Sequence, residues 1–106
     1  MIGVIEEKRA ELARLCARYG VQRLDVFGSA AADGRFDAGN SDLDFLVDFH
    51  PVEGMDLADQ YFGLWEDLQA LFRREVDLVM ARAMRNPYFI KAVNRTRRPL
   101  YAAGAA

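Results

Sequence analysis

The stretch "GNSDLDFLV", residues 39–47, sets Asp42 and Asp44 one residue apart at the mouth of an apolar run. Few folds begin a buried strand that way. If 43–49 is a strand, its side chains alternate, so Asp42 and Asp44 share one face about 7 Å apart along the backbone. Leu43, Phe45, Val47 and Phe49 then line the opposite face, where a core belongs. Two like charges on one strand face repel and lose hydration, which costs stability unless something positive compensates them. A divalent cation is one compensator. A solvated turn, in which Asn40, Ser41 and Asp42 hydrogen-bond locally, satisfies the same letters without one.

At 106 residues the chain reads as a single domain, 1–106, with one modest core and no room for two. No segment approaches the roughly 20 apolar residues of a membrane span. Glu6, Glu7, Lys8 and Arg9 lie in a helical pattern rather than a basic stretch before an apolar block, so the expected compartment is the cytoplasm. Cys16 is the one cysteine and forms no internal disulfide; on a helix it reads as a small buried hydrophobe. His50 reads as a surface residue, because one histidine makes no zinc site.

The net charge of −2 conceals a segregation. All sixteen acidic residues lie at or before Asp77, against eight basic ones, which leaves that part at −8. Arg82, Arg85, Lys91, Arg95, Arg97 and Arg98 follow with no acid among them, a tail of +6. Such asymmetry suits a polyanionic ligand or an acidic partner near the tail, or a basic helix docked against an acidic body.

Hydrophobic periodicity orders the elements. Residues 4–19 repeat Ile5, Leu12, Leu15 and Tyr19 at helical spacing, with Gly20 as a stop. "VQRLDVF", 21–27, is a short strand ending at Gly28-Ser29, and a small-residue loop leads to the strand at 43–49. From Asp56, an N-cap, the stripe Leu57, Tyr61, Leu64, Trp65, Leu68 and Phe72 predicts a second helix. "EVDLVM", 75–80, is a strand, "NPYFIKAVN" a short helix with Pro87 in its first turn, and "PLYA" an edge strand that tolerates Pro99. The alternation implies an α/β (α+β) domain, a small mixed β-sheet flanked by helices.

Asp77 lies inside the strand 75–80, a poor place for a carboxylate. An edge-strand charge that discourages aggregation is the bland account. The other is that Asp42, Asp44 and Asp77, from two neighbouring strands, converge on one metal site. Mg²⁺ wants oxygen ligands and uses a few carboxylates plus substrate phosphates. In a two-metal site Asp42 and Asp44 could bridge both ions, with Asp77 holding the one that activates the nucleophile. Gly28-Ser29, at a strand end, offers backbone N–H groups and a hydroxyl to a phosphate. The dipeptide means little alone. Its place, a dozen residues before Asp-x-Asp, sets a phosphate cradle beside a metal site.

"FGSAAADGRFDAGNSDLDFLVDF", with "VDLVM" some thirty residues on, resembles the minimal nucleotidyltransferases (MNT domains) of the DNA polymerase beta-like superfamily. The likeness extends over most of the chain. It implies the polymerase beta-like nucleotidyltransferase fold, two Mg²⁺ ions and a nucleoside triphosphate, most often ATP. It carries over Asp42 and Asp44 as metal ligands and Asp77 as third ligand or base, making these three the catalytic set. Gly28 and Ser29 become triphosphate contacts, with Ser41 counted beside them. Where the family commonly reads Gly-Ser-Arg-Ala-Arg-Gly, this chain has alanines at 30, 31 and 32 and then Asp33-Gly34. Losing cations beside a triphosphate weakens its binding, since charge-assisted contacts are the strong ones; Arg35 is a candidate substitute.

MNT proteins of this kind are typically antitoxins that transfer AMP from ATP to a tyrosine of a HEPN-domain ribonuclease toxin and also bind it. The resemblance therefore implies a HEPN toxin as protein partner, with neither membrane nor direct nucleic-acid binding. A chain with no second domain to present an acceptor agrees with an acceptor on another molecule. Two rivals are a catalytically silent antitoxin that neutralises by binding alone, and a small-molecule adenylyltransferase of aminoglycoside type, which normally needs a further substrate-binding region.

Overall fold

The alternation in the sequence becomes one mixed sheet in the computed structural model of the protein, which describes residues 3–28 and 42–104. Strands β1 (Val21–Phe27), β2 (Leu43–Phe49), β3 (Val76–Met80) and β4 (Arg98–Ala102) stand in the order β3-β2-β1-β4. β1 runs antiparallel to β2 and β4, whereas β2 and β3 are parallel. A parallel pair needs a crossover, and the helix α3 (Leu57–Phe72) supplies it. β4 is an edge strand, so Pro99 interrupts no central ladder. This is the mixed sheet flanked by helices that the sequence predicts.

The helix expected over 4–19 is instead two, α1 (Gly3–Glu6) and α2 (Arg9–Arg18). The Lys8 N–H bonds the Ile5 carbonyl three residues back, at 3.1 Å, and this tighter turn ends α1 after one coil. Gly20 does stop α2: its φ is +68°, and a Cβ there would run into Val52 Cγ2 and Gln60 Nε2. α3 begins at the predicted cap, where Asp56 accepts from the Asp59 N–H and Asp59 accepts from the Asp56 N–H. α4 (Pro87–Thr96) begins at Asn86, whose side chain accepts from the N–H groups of Tyr88 and Phe89.

The two sheet faces are treated unequally. Leu24, Val26, Leu43, Phe45, Val47 and Leu78 pack beneath α1, α2 and α3 against Ile5, Leu12, Leu64 and Leu68. Cys16 lies fully inside this core, and desolvation pushes its thiol up to about 12. Among the described residues the opposite face carries a smaller cluster, Phe27, Leu46 and Val93 of α4. The aspartates of β2 and β3 alternate with core residues, so they belong to this second face.

One further device matters to the site. β3 is an edge strand, yet α3 occupies its outer row of backbone groups. Tyr61 donates its hydroxyl to the Leu78 carbonyl at 2.5 Å, and Trp65 Nε1 donates to the Val76 carbonyl at 2.9 Å. Gln69 Oε1 accepts from the Val76 N–H at 3.3 Å. These residues recur every four positions, one line along the helix, and they close an edge that would otherwise invite another strand.

Candidate functional site

β2 and β3 are in register with Asp44 opposite Asp77, and on the other side of β2 Phe27 stands opposite Asp44. Adjacent strands lie about 4.8 Å apart, so Asp44 and Asp77 are side-by-side neighbours on one face. Asp42 and Asp77 are exposed, whereas Asp44 is half-buried. Desolvation pushes the Asp44 carboxyl up to about 6, with the negative charges of Asp77 and then Asp42 adding to the effect. Asp44 is the most enclosed of the three and takes the cost of their proximity. Among the described residues no three carboxylate, imidazole or thiol groups enclose a single ion-sized point. The trio is an open array on a strand end. Its donor chemistry suits a hard divalent cation: oxygen ligands only, with mutual repulsion that a cation would relieve.

Gly28 closes β1 with φ at +73°, a conformation that disfavours side chains. A Cβ at this position would stand 2.7 Å from Asp44 Oδ2, so glycine is what lets the Asp44 carboxylate lie against the backbone. The Gly28 N–H donates to Thr96 Oγ1, at the end of α4, at 2.9 Å. This amide of the expected phosphate turn therefore has a partner within the fold, supplied by α4. Ser29 and Ser41, the other expected triphosphate contacts, lie outside the described residues, as do the alanines at 30–32 and Arg35.

Sequence reading also passed over Thr96 and Asp25. Asp25 is 1% exposed on β1, on the same face as Asp44. Arg97 reaches its Oδ2 with Nη2 at 2.6 Å and Nε at 2.7 Å, and Arg23 Nε reaches Oδ1 at 3.2 Å. The motif "RLDVF" holds a carboxylate in a strand just as "VDLVM" does, so the signal was present, but its partner is 72 positions away. The basic tail therefore divides. Arg97 docks on the acidic body, Arg82 bonds the Phe49 carbonyl and approaches Asp48 at 3.8 Å, while Lys91 and Arg95 stay exposed on α4. Tyr61 borders the site from α3; burial, and then Asp77, raise its phenol above the ordinary range, which keeps it a proton donor.

Residues 9–99 match the nucleotidyltransferase domain family. The chain belongs to that family. It is 36% identical over 76 residues, 72% of each chain, to a candidate protein adenylyltransferase of Methanocaldococcus jannaschii. A solved structure described as a candidate minimal nucleotidyltransferase superposes with a TM-score of 0.70 at 35% identity, covering 91% of this chain and 92% of that chain. Two further structures share the fold at lower identity. One is a toxin–antitoxin crystallised with AMP-PNP, with TM-score 0.66 and 19% identity over 91% of this chain and 74% of that one. The other is a tri-AMPylated Shewanella oneidensis HEPN toxin in complex with its MNT antitoxin, with TM-score 0.63 and 18% identity over 92% and 72%. Among the described residues no helix is long and apolar enough to cross a membrane.

Proposed function

We propose that this nucleotidyltransferase transfers AMP from ATP to a tyrosine hydroxyl of a partner HEPN-domain toxin and serves as its antitoxin, working as one domain in the cytoplasm. The observation that carries the reading is the registered pair Asp44–Asp77 with Asp42 alongside, where the charges of Asp77 and Asp42 add to the desolvation that raises the Asp44 carboxyl. The relatives support the acceptor class: one is a candidate protein adenylyltransferase, and one structural neighbour is an antitoxin bound to an AMPylated toxin.

Asp42, Asp44 and Asp77 would hold two Mg²⁺ ions, which when bound supply charge neutralisation at the phosphoryl oxygens. Gly28 lets Asp44 approach the backbone, and Gly28, Ser29 and Ser41 are the residues proposed to contact the triphosphate. Asp77, the exposed carboxylate at the sheet edge, accepts the proton of the acceptor hydroxyl. The acceptor oxygen forms a bond to the α-phosphorus as the bond to pyrophosphate breaks in line, and pyrophosphate leaves. Exposed Tyr88 and Phe89 beside Lys91 and Arg95 give α4 a mixed apolar and basic surface suited to a protein partner.

The engaged Gly28 amide and the alanines at 30–32 favour a second reading, a silent antitoxin that neutralises by binding alone. Labelled ATP, Mg²⁺ and a HEPN partner separate the two. A transferase labels the partner, and the double variant Asp42→Asn with Asp44→Asn loses labelling almost completely while still binding. An unlabelled partner, neutralised equally by wild type and variant, refutes transfer and leaves binding.

A further inference from the structure

We infer that Tyr61 and Trp65 are positioning residues for Asp77, fixing the edge strand that carries it so that its carboxylate meets Asp44. The inference rests on the metal-dependent reading of the site and adds to it two residues outside the aspartate set. β3 is five residues long and, among the described strands, pairs through its backbone with β2 alone. In such a parallel pair successive residues point their backbone groups to opposite sides. The Glu75 carbonyl bonds the Leu43 N–H, so position 77 shares the β2 side and positions 76 and 78 face outward.

Those outward carbonyls, one on each side of Asp77, are the two that α3 grips: Trp65 holds Val76 and Tyr61 holds Leu78. Asp77 is thus pinned from β2 on one side and from α3 on both flanks of the other. A short edge strand without such clamps opens locally at low cost. A metal site tolerates little of that, because outer groups that orient a ligand count nearly as much as the ligand itself. Packing alone asks for rings at these positions; the hydroxyl and the indole N–H are what the carbonyls require.

Mn²⁺ binding to the full chain, read by electron paramagnetic resonance, tests this with Tyr61→Phe, which loses one donor and keeps the ring, and Trp65→Phe, which exchanges the indole and its donor for a smaller ring. Each is expected to weaken Mn²⁺ affinity about tenfold, with thermal melts verifying that the variants remain folded. In an Asp77→Asn background Tyr61→Phe is expected to have no further effect on affinity, since Asp77 is the group through which it acts. Unchanged affinity in both folded single variants overturns the inference, as does an equal weakening with and without Asp77. Wild-type protein that binds no Mn²⁺ removes the metal reading itself and this inference with it. Wild-type binding with indifferent variants removes the inference alone.

Discussion

Replacing Asp44 with Asn is expected to stabilise the metal-free protein, although Asp44 stands at the centre of the candidate site. Its carboxyl moves from an ordinary 3.8 to about 6 on folding, chiefly through desolvation and then through Asp77 and Asp42. A displacement of that size has a ceiling of about 3 kcal/mol. The group is only half-buried, so solvent screening brings the expected cost to about 1–2 kcal/mol. The sign follows from proton uptake. Between 3.8 and about 6 the folded state holds the proton more often than the unfolded state, so stability falls as pH rises through that interval. Below it both states are protonated and the penalty is absent; above about 6 it is complete.

Asn removes the charge at nearly constant shape. The variant should therefore melt about 5–10 °C higher than wild type at pH 7.5 in chelator, with the gap closing towards pH 4. Adding Mg²⁺ should raise the wild-type midpoint by mass action and leave the variant's nearly unmoved. Differential scanning calorimetry across pH, with and without Mg²⁺, reads all three. A variant less stable than wild type at pH 7.5, or a gap independent of pH, refutes the claim that Asp44 is held at a cost.

Gly28→Ala should destabilise the fold by about 1–2 kcal/mol in denaturant titration, because φ at +73° is unfavourable to a side chain and the new Cβ would press on Asp44 Oδ2. It should also weaken Mn²⁺ binding, since Asp44 must move. Cys16 should resist Ellman's reagent at pH 8 in the native protein and react fully in denaturant, its thiol being buried and raised to about 12; rapid native labelling would contradict that burial.

Much of this fold was legible because its signals are local. Alternation placed β1 and β2 at their observed limits, and Asp56 and Asn86 marked the starts of α3 and α4 by side chains that cap N–H groups two or three residues ahead. The break between α1 and α2 escaped because periodicity is blind to one tightened turn inside a continuous apolar stripe. That β2 and β3 are neighbours was expected from the sequence, whereas the register that sets Asp44 beside Asp77 is fixed by the sheet. What lay beyond reach was each group's distant partner: Thr96 for Gly28, Arg97 for Asp25, Tyr61 for Leu78. A sequence shows which polar groups enter the sheet, but tertiary packing decides which of them are neutralised.

That distinction separates two carboxylates on the same sheet face and yields opposite expectations for the same substitution. Asp25 is the more deeply buried, yet Arg97 and Arg23 meet both of its oxygens, and Arg97 ties β1 to the junction of α4 and β4. Asp44 lies one alternation along the neighbouring strand, with negative charges where Asp25 has positive ones. A carboxylate that the fold satisfies internally serves the fold. One left against two like charges makes sense where a ligand completes it. Asp25→Asn should therefore destabilise by about 2–4 kcal/mol, since it strands Arg97 beside a neutral group. It should leave Mn²⁺ affinity largely unchanged. Asp44→Asn should do the reverse, raising stability in chelator and abolishing Mn²⁺ binding. Parallel melts and titrations of the two variants read the contrast directly. If both destabilise alike, or if Asp25→Asn also abolishes Mn²⁺ binding, the division of this face into a structural carboxylate and a ligand-binding one is wrong.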